Sequence, residues 1–515
     1  MIPDANRPYT PGWYFKTLFN ELTDLKRRQR LQLLRDYREG KAPLPQGAEN
    51  AREAYEAFCR MARTNFADLI VSALAERMEL TGFRSAADAD ATGDPELAGL
   101  WRRAGLDITS GDVHKRMLSE SEGYVIVGAY DPDIDAAVVT EEDPLYTIGM
   151  PDPDNPRRLI AGLKIKHDIA EDVDRVYLYL AGKIFAPGAQ AQLWVATRRT
   201  YGQLGPMTGF HDQDWSWEPA RSGVLPHGRV PMVRFLNADG LGEYEQHLDL
   251  LDRINHQILQ RMTVAVMQAF RQRAIEGLPT VYPKGHPQEG QTIDYGNVFV
   301  ADPAAVWHLP PGVKMWESGQ VDLRPILEAV AADVQHLASV TRTPLHLMAP
   351  AGDNQSAEGA NLQREGLTFR AKNRIKRTSP AWVDVVALMQ LQSGPADVRA
   401  LSRIEPIWAS PELLSLSERG DASSKAQDIP WESRMSLIWG FDPATIDRMK
   451  TERLDDMLLQ QQLAQVLASA APAAAPGQQA GLPTAANQRG GQAPPPGQAG
   501  GPVPVGAGRE VNSAG

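Results

Sequence analysis

Asp131, Asp133, Asp135 and Glu142 stand at positions 1, 3, 5 and 12 of DPDIDAAVVTEE. That is the spacing at which an oxygen-rich loop wraps a calcium ion. Position 6 of such a loop needs glycine for its sharp turn, and here it is Ala136. The stretch also continues into a β-branched segment and not a helix, so it reads as a solvated Asp/Pro turn between strands. The second charged constellation is Arg364, Arg370, Lys372, Arg374, Lys376 and Arg377. Cations this dense are candidates for proximity to nucleic-acid phosphate. On a helix, however, Arg370 to Arg377 point in several directions, so part of the set must pair on the surface or between subunits. His247 and His256 are nine apart, a poor spacing for joint metal ligation, and read as polar surface or inter-subunit residues. Cys59 is the only cysteine, which excludes an internal disulfide and any multi-cysteine zinc site. With no histidine placed to activate it, it reads as inert packing in a reduced, intracellular setting.

Signatures of catalysis are missing from the sequence. No GxxxxGK followed by Ser or Thr occurs, so a packaging-type ATPase is not encoded, and neither HExxH nor GxSxG appears. Carboxylates are plentiful, but nothing pairs two of them across a cleft. The expectation is a protein that is not an enzyme, with no catalytic, cofactor-binding or metal-binding residue. The alternative is a soluble enzyme using the segment 118–237 as a substrate cleft.

The elements that would carry these residues can be read in order. Thr17 to Tyr37 has helical periodicity, with Leu18, Leu22, Leu25, Leu33 and Leu34 near one face and a solvated face of Lys26, Arg27, Arg28 and Arg30. A second helix spans about Arg52 to Arg77, with Phe58, Met61, Phe66, Ile70 and Leu74 inward. From Leu118 the period becomes that of strands, giving about five antiparallel strands and one more at GRVPMVRFLN. Glu243 to Ile275 predicts a helix about 50 Å long at 1.5 Å per residue. Its apolar set drifts around the axis, so it needs neighbours on two sides. A Pro/Gly-punctuated insert with short strands covers Leu278 to Gln320. The next helix, Asp322 to Thr341, carries Pro325 harmlessly in its first turn and stops before Pro344. A small polar loop, Ala349 to Gln355, precedes a helix from about Ser356 to Leu391 kinked at Pro380. Helical segments interrupted at Gly420, Pro430 and Gly440 fill Pro411 to Gln465. The Ala/Pro/Gly/Gln-rich end should be disordered.

Composition sets the frame. A chain of 515 residues, 43% hydrophobic and 23% charged, has the balance of a folded soluble protein with several substructures. No apolar run reaches the ~20 residues of a membrane helix, and MIPDANRPYTPGWYF does not have the pattern of a secretory signal. Net charge is −11. A tight, whole-surface DNA binder would be basic, since counterion release drives such binding; a surface past which DNA slides would not need to be.

The order of several motifs resembles the portal proteins of tailed bacteriophages, in the branch typical of long-tailed phages of Gram-positive hosts. The likeness spans roughly Arg52 to Gln465. It rests on ARTN at Ala62–Asn65 followed by LIVSALAERMELTGFR, EEDP at Glu141–Pro144, GRVPMVRFLN and LLDRINHQILQRM. TRTPLHLM at Thr341–Met348, SAEGANLQREGLTFRAKNRIKR and LIWGFDPATIDRM complete it.

The resemblance implies an α+β portal fold: wing, two-helix stem, small α/β clip, long kinked helix and helical crown. By position, 1–51 would be an N-terminal arm and helix, 52–242 the wing, 243–277 the first stem helix and 278–320 the clip. The second stem helix would be 321–343, the tunnel loop 344–356, and the kinked wing helix with its return 357–410. The crown would be 411–467 and a disordered tail 468–515. It implies a ring of copies of itself, usually a dodecamer, at one capsid vertex of a virion assembled in the host cytoplasm. Double-stranded DNA would pass through the ring in packaging and ejection. Asp353, Asn354 and Gln355 would line the channel. Tyr282, Lys284, Tyr295, Trp307 and Trp316 would be the clip residues meeting the terminase large subunit and then a head–tail adaptor, with major capsid and scaffold proteins as further partners and no membrane.

Overall fold

The computed structural model describes residues 2, 4–44, 53–85, 93–200, 202–269, 273–295, 312–317, 319, 321–349, 357–394, 403–412, 416–441 and 443–470. It is an α+β fold in which helices pack on two antiparallel sheets.

The first predicted helix is two. α1 (Pro11–Leu22) starts where the Thr10 hydroxyl accepts from the Trp13 N–H with Pro11 at the first position, and α2 (Leu25–Arg38) starts where Asp24 accepts from the Arg27 N–H at 2.9 Å. An N-cap in mid-sequence ends one helix and begins the next, because it satisfies donors that only a helix start leaves open. The basic face of α2 is not simply solvated. Arg27 pairs with Glu122 at 2.6 Å, Arg28 donates to the Leu145 carbonyl at 2.7 Å, and Arg30 grips Glu245, while Leu25 is exposed. The second predicted helix divides likewise into α3 (Glu53–Met61) and α4 (Phe66–Ala75) around Asn65. Cys59 is buried against Ala62 and Leu259, and Met61 is exposed.

β1 (Leu80–Arg84), α5 (Pro95–Arg103) and α6 (Leu106–Glu120) follow, so helix persists past Leu118 and the strands begin two residues after Glu120. β2 (Glu122–Asp131) and β3 (Ala136–Glu142) form a hairpin, β4 (Thr147–Pro151), β5 (Leu159–Asp168), β6 (Val173–Leu180) and β7 (Gln192–Arg199) a meander, and β8 (Ser216–Trp217) and β9 (Gly223–Val224) both pair with β7. β10 (Met232–Leu236) leaves that sheet and pairs with β2, giving a three-stranded sheet β10–β2–β3 beside a six-stranded one. One face of the larger sheet is covered by α1, whose Phe15, Leu18, Phe19 and Leu22 close on Leu163, Val176, Leu178 and Trp215.

α7 (Leu248–Ala269) is followed by β11 (Arg273–Glu276), which pairs antiparallel with β12 (Lys314–Glu317), and α8 (Arg324–Val340) returns along α7. The expected helix to Ile275 therefore stops at Ala269. Ile275 lies instead opposite Met315 in a two-stranded ladder, whose inter-strand bonds replace those of another helical turn. α9 (Leu345–Met348) precedes α10 (Ala357–Ser393), a helix of 37 residues that runs on through Pro380. Trp382 of α10 is the centre of the main core, packed on Phe235, Trp101 and His114, with its Nε1–H donating to His114 Nε2 at 2.9 Å. β13 (Glu405–Trp408) pairs with β1 across more than three hundred residues of sequence.

The expected interruption at Gly420 is absent, since helix Leu416–Lys425 continues through it. Gly440 does end a turn, at φ +74°, a left-handed conformation natural to glycine. The last helix is Pro443–Ala470, and from Arg453 it belongs to a separate unit; its residues 453–465 are exposed and include Leu454, Leu458 and Leu463.

Candidate functional site

Two features stand out: the α7–α8 pair and the junction where its base meets α10. At the base, Leu251, Ile254 and Leu259 of α7 and Val334, Leu337 and Ala338 of α8 are buried. Arg253 forks both oxygens of Asp333 at 2.9 and 2.6 Å, and Gln257 donates to the same carboxylate at 2.9 Å. Toward the other end burial falls away. Val266, Leu327 and Val321 are exposed, as are Met315 and Trp316 of the β11–β12 ladder, Trp316 by 58%. Apolar side chains at that level have no cover within the chain among the described residues.

The insert beyond the ladder positions three expected contact residues. Tyr282 stacks on His286 with ring centroids 4.3 Å apart, Tyr295 donates to the Pro279 carbonyl at 2.8 Å, and Lys284 is exposed. Val281 bridges Thr292. Trp307 lies outside the described residues, as do Asp353, Asn354 and Gln355.

The basic cluster separates into three groups. Arg370 and Arg374 both close on Glu243, whose side chain is only 2% exposed and whose Oε1 also accepts from Asn237 Nδ2 at 3.0 Å. Burial alone would push the Glu243 carboxyl up. The two guanidiniums outweigh it and hold it below the usual range. These arginines join α10 to the segment entering α7. Lys372 pairs with Glu412 at 2.7 Å on the surface. Arg364, Lys376 and Arg377 are exposed. Spacing showed that the cations could not share one direction, but nothing local marked Glu243, 127 residues away, as the partner of Arg370.

Around Glu243 lies a cleft of about 490 Å³ between the C-terminal end of α8, the segment 237–247 and α10. Arg342, Arg370, Arg374 and Arg377 line it against two carboxylates, Asp239 and Glu243, with His247 beside them. Burial, then the neighbouring Arg370 and His336, push the His247 imidazole below its ordinary value.

The acidic motif becomes a hairpin. Asp131 ends β2 and accepts from the Asp133 N–H at 3.0 Å, Asp135 sits at φ +51° and accepts from the Tyr130 hydroxyl at 2.6 Å, and Glu142 pairs with Lys164. Among the described residues no group of three or more His, Cys, Asp or Glu could hold a metal. Within the sheets, Asp174 Oδ1 meets both His167 Nδ1 at 3.0 Å and the Thr200 hydroxyl at 3.2 Å, and that hydroxyl lies 3.3 Å from the same ring nitrogen. A catalytic triad needs nucleophile and carboxylate on opposite nitrogens of the imidazole. This cluster shares one nitrogen, and Arg198 and the Gly205 N–H occupy the other Asp174 oxygen.

No known protein-family profile matches the chain, and no curated protein does. Among solved structures, a chain from the virion of a native gene transfer agent particle is similar at 14% identity and a TM-score of 0.39, covering 80% of this chain and 98% of that one. A TM-score below 0.5 decides neither fold nor role.

Proposed function

We propose that this chain is a portal protein, a ring of identical subunits at one vertex of a phage-like capsid through which double-stranded DNA enters and leaves. The observation that carries the reading is the α7–α8 pair: two antiparallel helices anchored at one end, capped at the other by a small β-ladder and insert, with Val266, Leu327 and Trp316 uncovered. A helix pair that cannot bury its apolar residues within its own chain buries them against copies of itself, and in a closed ring each subunit supplies a neighbour on both flanks. On this reading α7 and α8 are the stem and the insert is the clip, carrying Tyr282, Lys284, Tyr295, Trp307 and Trp316 to the terminase and then to an adaptor. Asp353, Asn354 and Gln355 would line the channel on the same reading. Net charge of −11 suits a conduit that lets a duplex slide. Of the basic cluster, Arg364, Lys376 and Arg377 are the residues for DNA, because Arg370 and Arg374 are engaged by Glu243 and Lys372 by Glu412. The protein has no catalytic step of its own and depends on a separate ATPase.

The test is the mass and negative-stain image of the protein at physiological salt, alone and co-expressed with its capsid and scaffold proteins. A ring of many subunits with a central hole is expected. A chain that stays monomeric beside those partners refutes the reading.

A further inference from the structure

The cleft around Glu243 holds more positive charge than the fold uses. Four arginines face two carboxylates there, and one of those carboxylates, Glu243, is fully consumed by Arg370, Arg374 and Asn237. Two sets of donors are left over, both on exposed side chains. Among the described residues Arg377 makes no ion pair and only a long bond of 3.3 Å to Asn373 Oδ1, which also accepts from Arg374 Nη1 at 2.8 Å. The Arg342 side chain has neither an ion pair nor a hydrogen bond among the described residues.

Arg342 is also held where an arginine does not belong. It follows α8 at φ +50°, in the left-handed conformation that ends many helices and that glycine adopts without strain. Arg342 is exposed, so its guanidinium is free to meet an anion at the wall of this cationic cleft.

The rest of the cleft says which anion. Its volume of about 490 Å³ falls in the range of pockets that hold small organic ligands, so it suits more than a bare oxyanion. Its donors come from two elements and several directions, which fits a tetrahedral phosphate better than one planar carboxylate. Phe369 lines the same cleft and is 57% exposed, an aromatic face of the kind on which nucleobases stack. We infer that this cleft binds a nucleotide, its phosphate on Arg342 and Arg377 and its base against Phe369. The nucleotide is either free or part of a single strand. The inference rests on the cleft alone and is independent of whether the chain forms a ring.

The experiment is calorimetric titration of the full-length protein with dAMP, a single-stranded oligonucleotide, inorganic phosphate and succinate. The variants are Arg342→Gly, Arg377→Gln, Phe369→Ala and, as a control away from the cleft, Lys372→Ala. Arg342→Gly suits its backbone conformation and should melt no lower than the parent, so lost binding cannot be ascribed to unfolding. The expected result is dAMP binding that Arg342→Gly and Arg377→Gln each weaken by roughly tenfold, as loss of one charge-assisted contact does. Phe369→Ala should weaken dAMP but not inorganic phosphate, and Lys372→Ala neither. An oligonucleotide that binds with the same variant pattern identifies a strand as the source; dAMP without the oligonucleotide identifies a free nucleotide. Succinate binding as tightly as dAMP, absence of binding by dAMP and the oligonucleotide, or dAMP binding indifferent to Arg342→Gly and Arg377→Gln overturns the inference.

Discussion

Replacing Glu243 with glutamine tests how the base of the helix pair is built. The side chain is 2% exposed and its two oxygens accept from Arg370, Arg374 and Asn237. Glutamine keeps the shape and one acceptor, but removes the charge and turns an N–H₂ toward the guanidiniums. Both arginines are mostly buried and would face each other without a counter-charge. Stranding one partner of a buried pair costs about 3–5 kcal/mol, against at most about 1 kcal/mol for an exposed pair such as Lys372–Glu412. The assay is urea denaturation at pH 7, where the depressed Glu243 carboxyl is fully ionised and its contribution complete; that contribution is lost only as pH falls below the ordinary glutamate range. Coincidence of tryptophan fluorescence and circular dichroism checks that unfolding is two-state. Glu243→Gln should lose several times what Lys372→Ala loses, and adding Arg374→Met should recover part of it by removing one stranded charge. A Glu243→Gln loss no larger than that of Lys372→Ala would refute the reasoning, and the basic cluster would be free for other work.

Three further outcomes follow from named contacts. His114 is wholly buried, which pushes its imidazole down to about 3; the unfolded chain takes up its proton near 6.5. Stability from this residue is complete above that value and falls as pH drops toward 3, by about 2 kcal/mol at pH 5. His114→Gln, which still offers Trp382 an acceptor, should remove that part of the slope, as parallel denaturation at pH 7 and pH 5 would show. Gly182→Ala would place a methyl 1.8 Å from the Ala189 carbonyl oxygen, while the Gly182 N–H is tied to Gly228 at 3.0 Å. A loss of at least about 1–3 kcal/mol is expected in the same assay. Hydrogen exchange of the monomer should protect 248–259 of α7 and leave 263–269 fast, since only the first half is buried; uniform protection would show that the distal half is covered within one chain.

What could be read beforehand divides by sequence distance. The short β-branched and aromatic runs YVIVGAY and RVYLYL, bounded by Asp/Pro/Gly turns, marked β2 and β6, and long helix-compatible stretches bounded by Pro and Gly marked α7, α8 and α10, because those signals lie within one element. The break at Thr23–Asp24 was also local, as a cap, but the basic run after it masked the start of a second helix. β1 and β13 were missed: LTGFR and EPIW are short, carry Gly and Pro, and gain their bonds only from each other across the chain. The same distance hid the functional detail. A cation count identifies α10 as basic, whereas the consumption of Arg370 and Arg374 depends on Glu243, 127 residues from Arg370 in sequence.

The placement of polar contacts along α7 explains why its first half is fixed and its second half is available. Entering the helix, Glu243 is held by α10, Tyr244 donates to the Leu34 carbonyl, and Glu245 is forked by Arg30. One to two turns on, Asp252 accepts from the Tyr37 hydroxyl at 2.6 Å, and Asn255 Oδ1 takes both the N–H and hydroxyl of Thr64 at 2.9 and 2.8 Å. α2, the segment after α3 and α10 thus grip the base from three directions. Most of these bonds are buried or half-buried, where a polar contact is stronger than in water and costly to leave unmade. Beyond Leu259 the described polar contacts shrink to Thr263 with its own helix and Gln268 with the Val321 carbonyl. The contacts that hold this end of α7 include Arg370 and Arg374, which also line the cleft, so Glu243 belongs to both the helix base and the cleft wall.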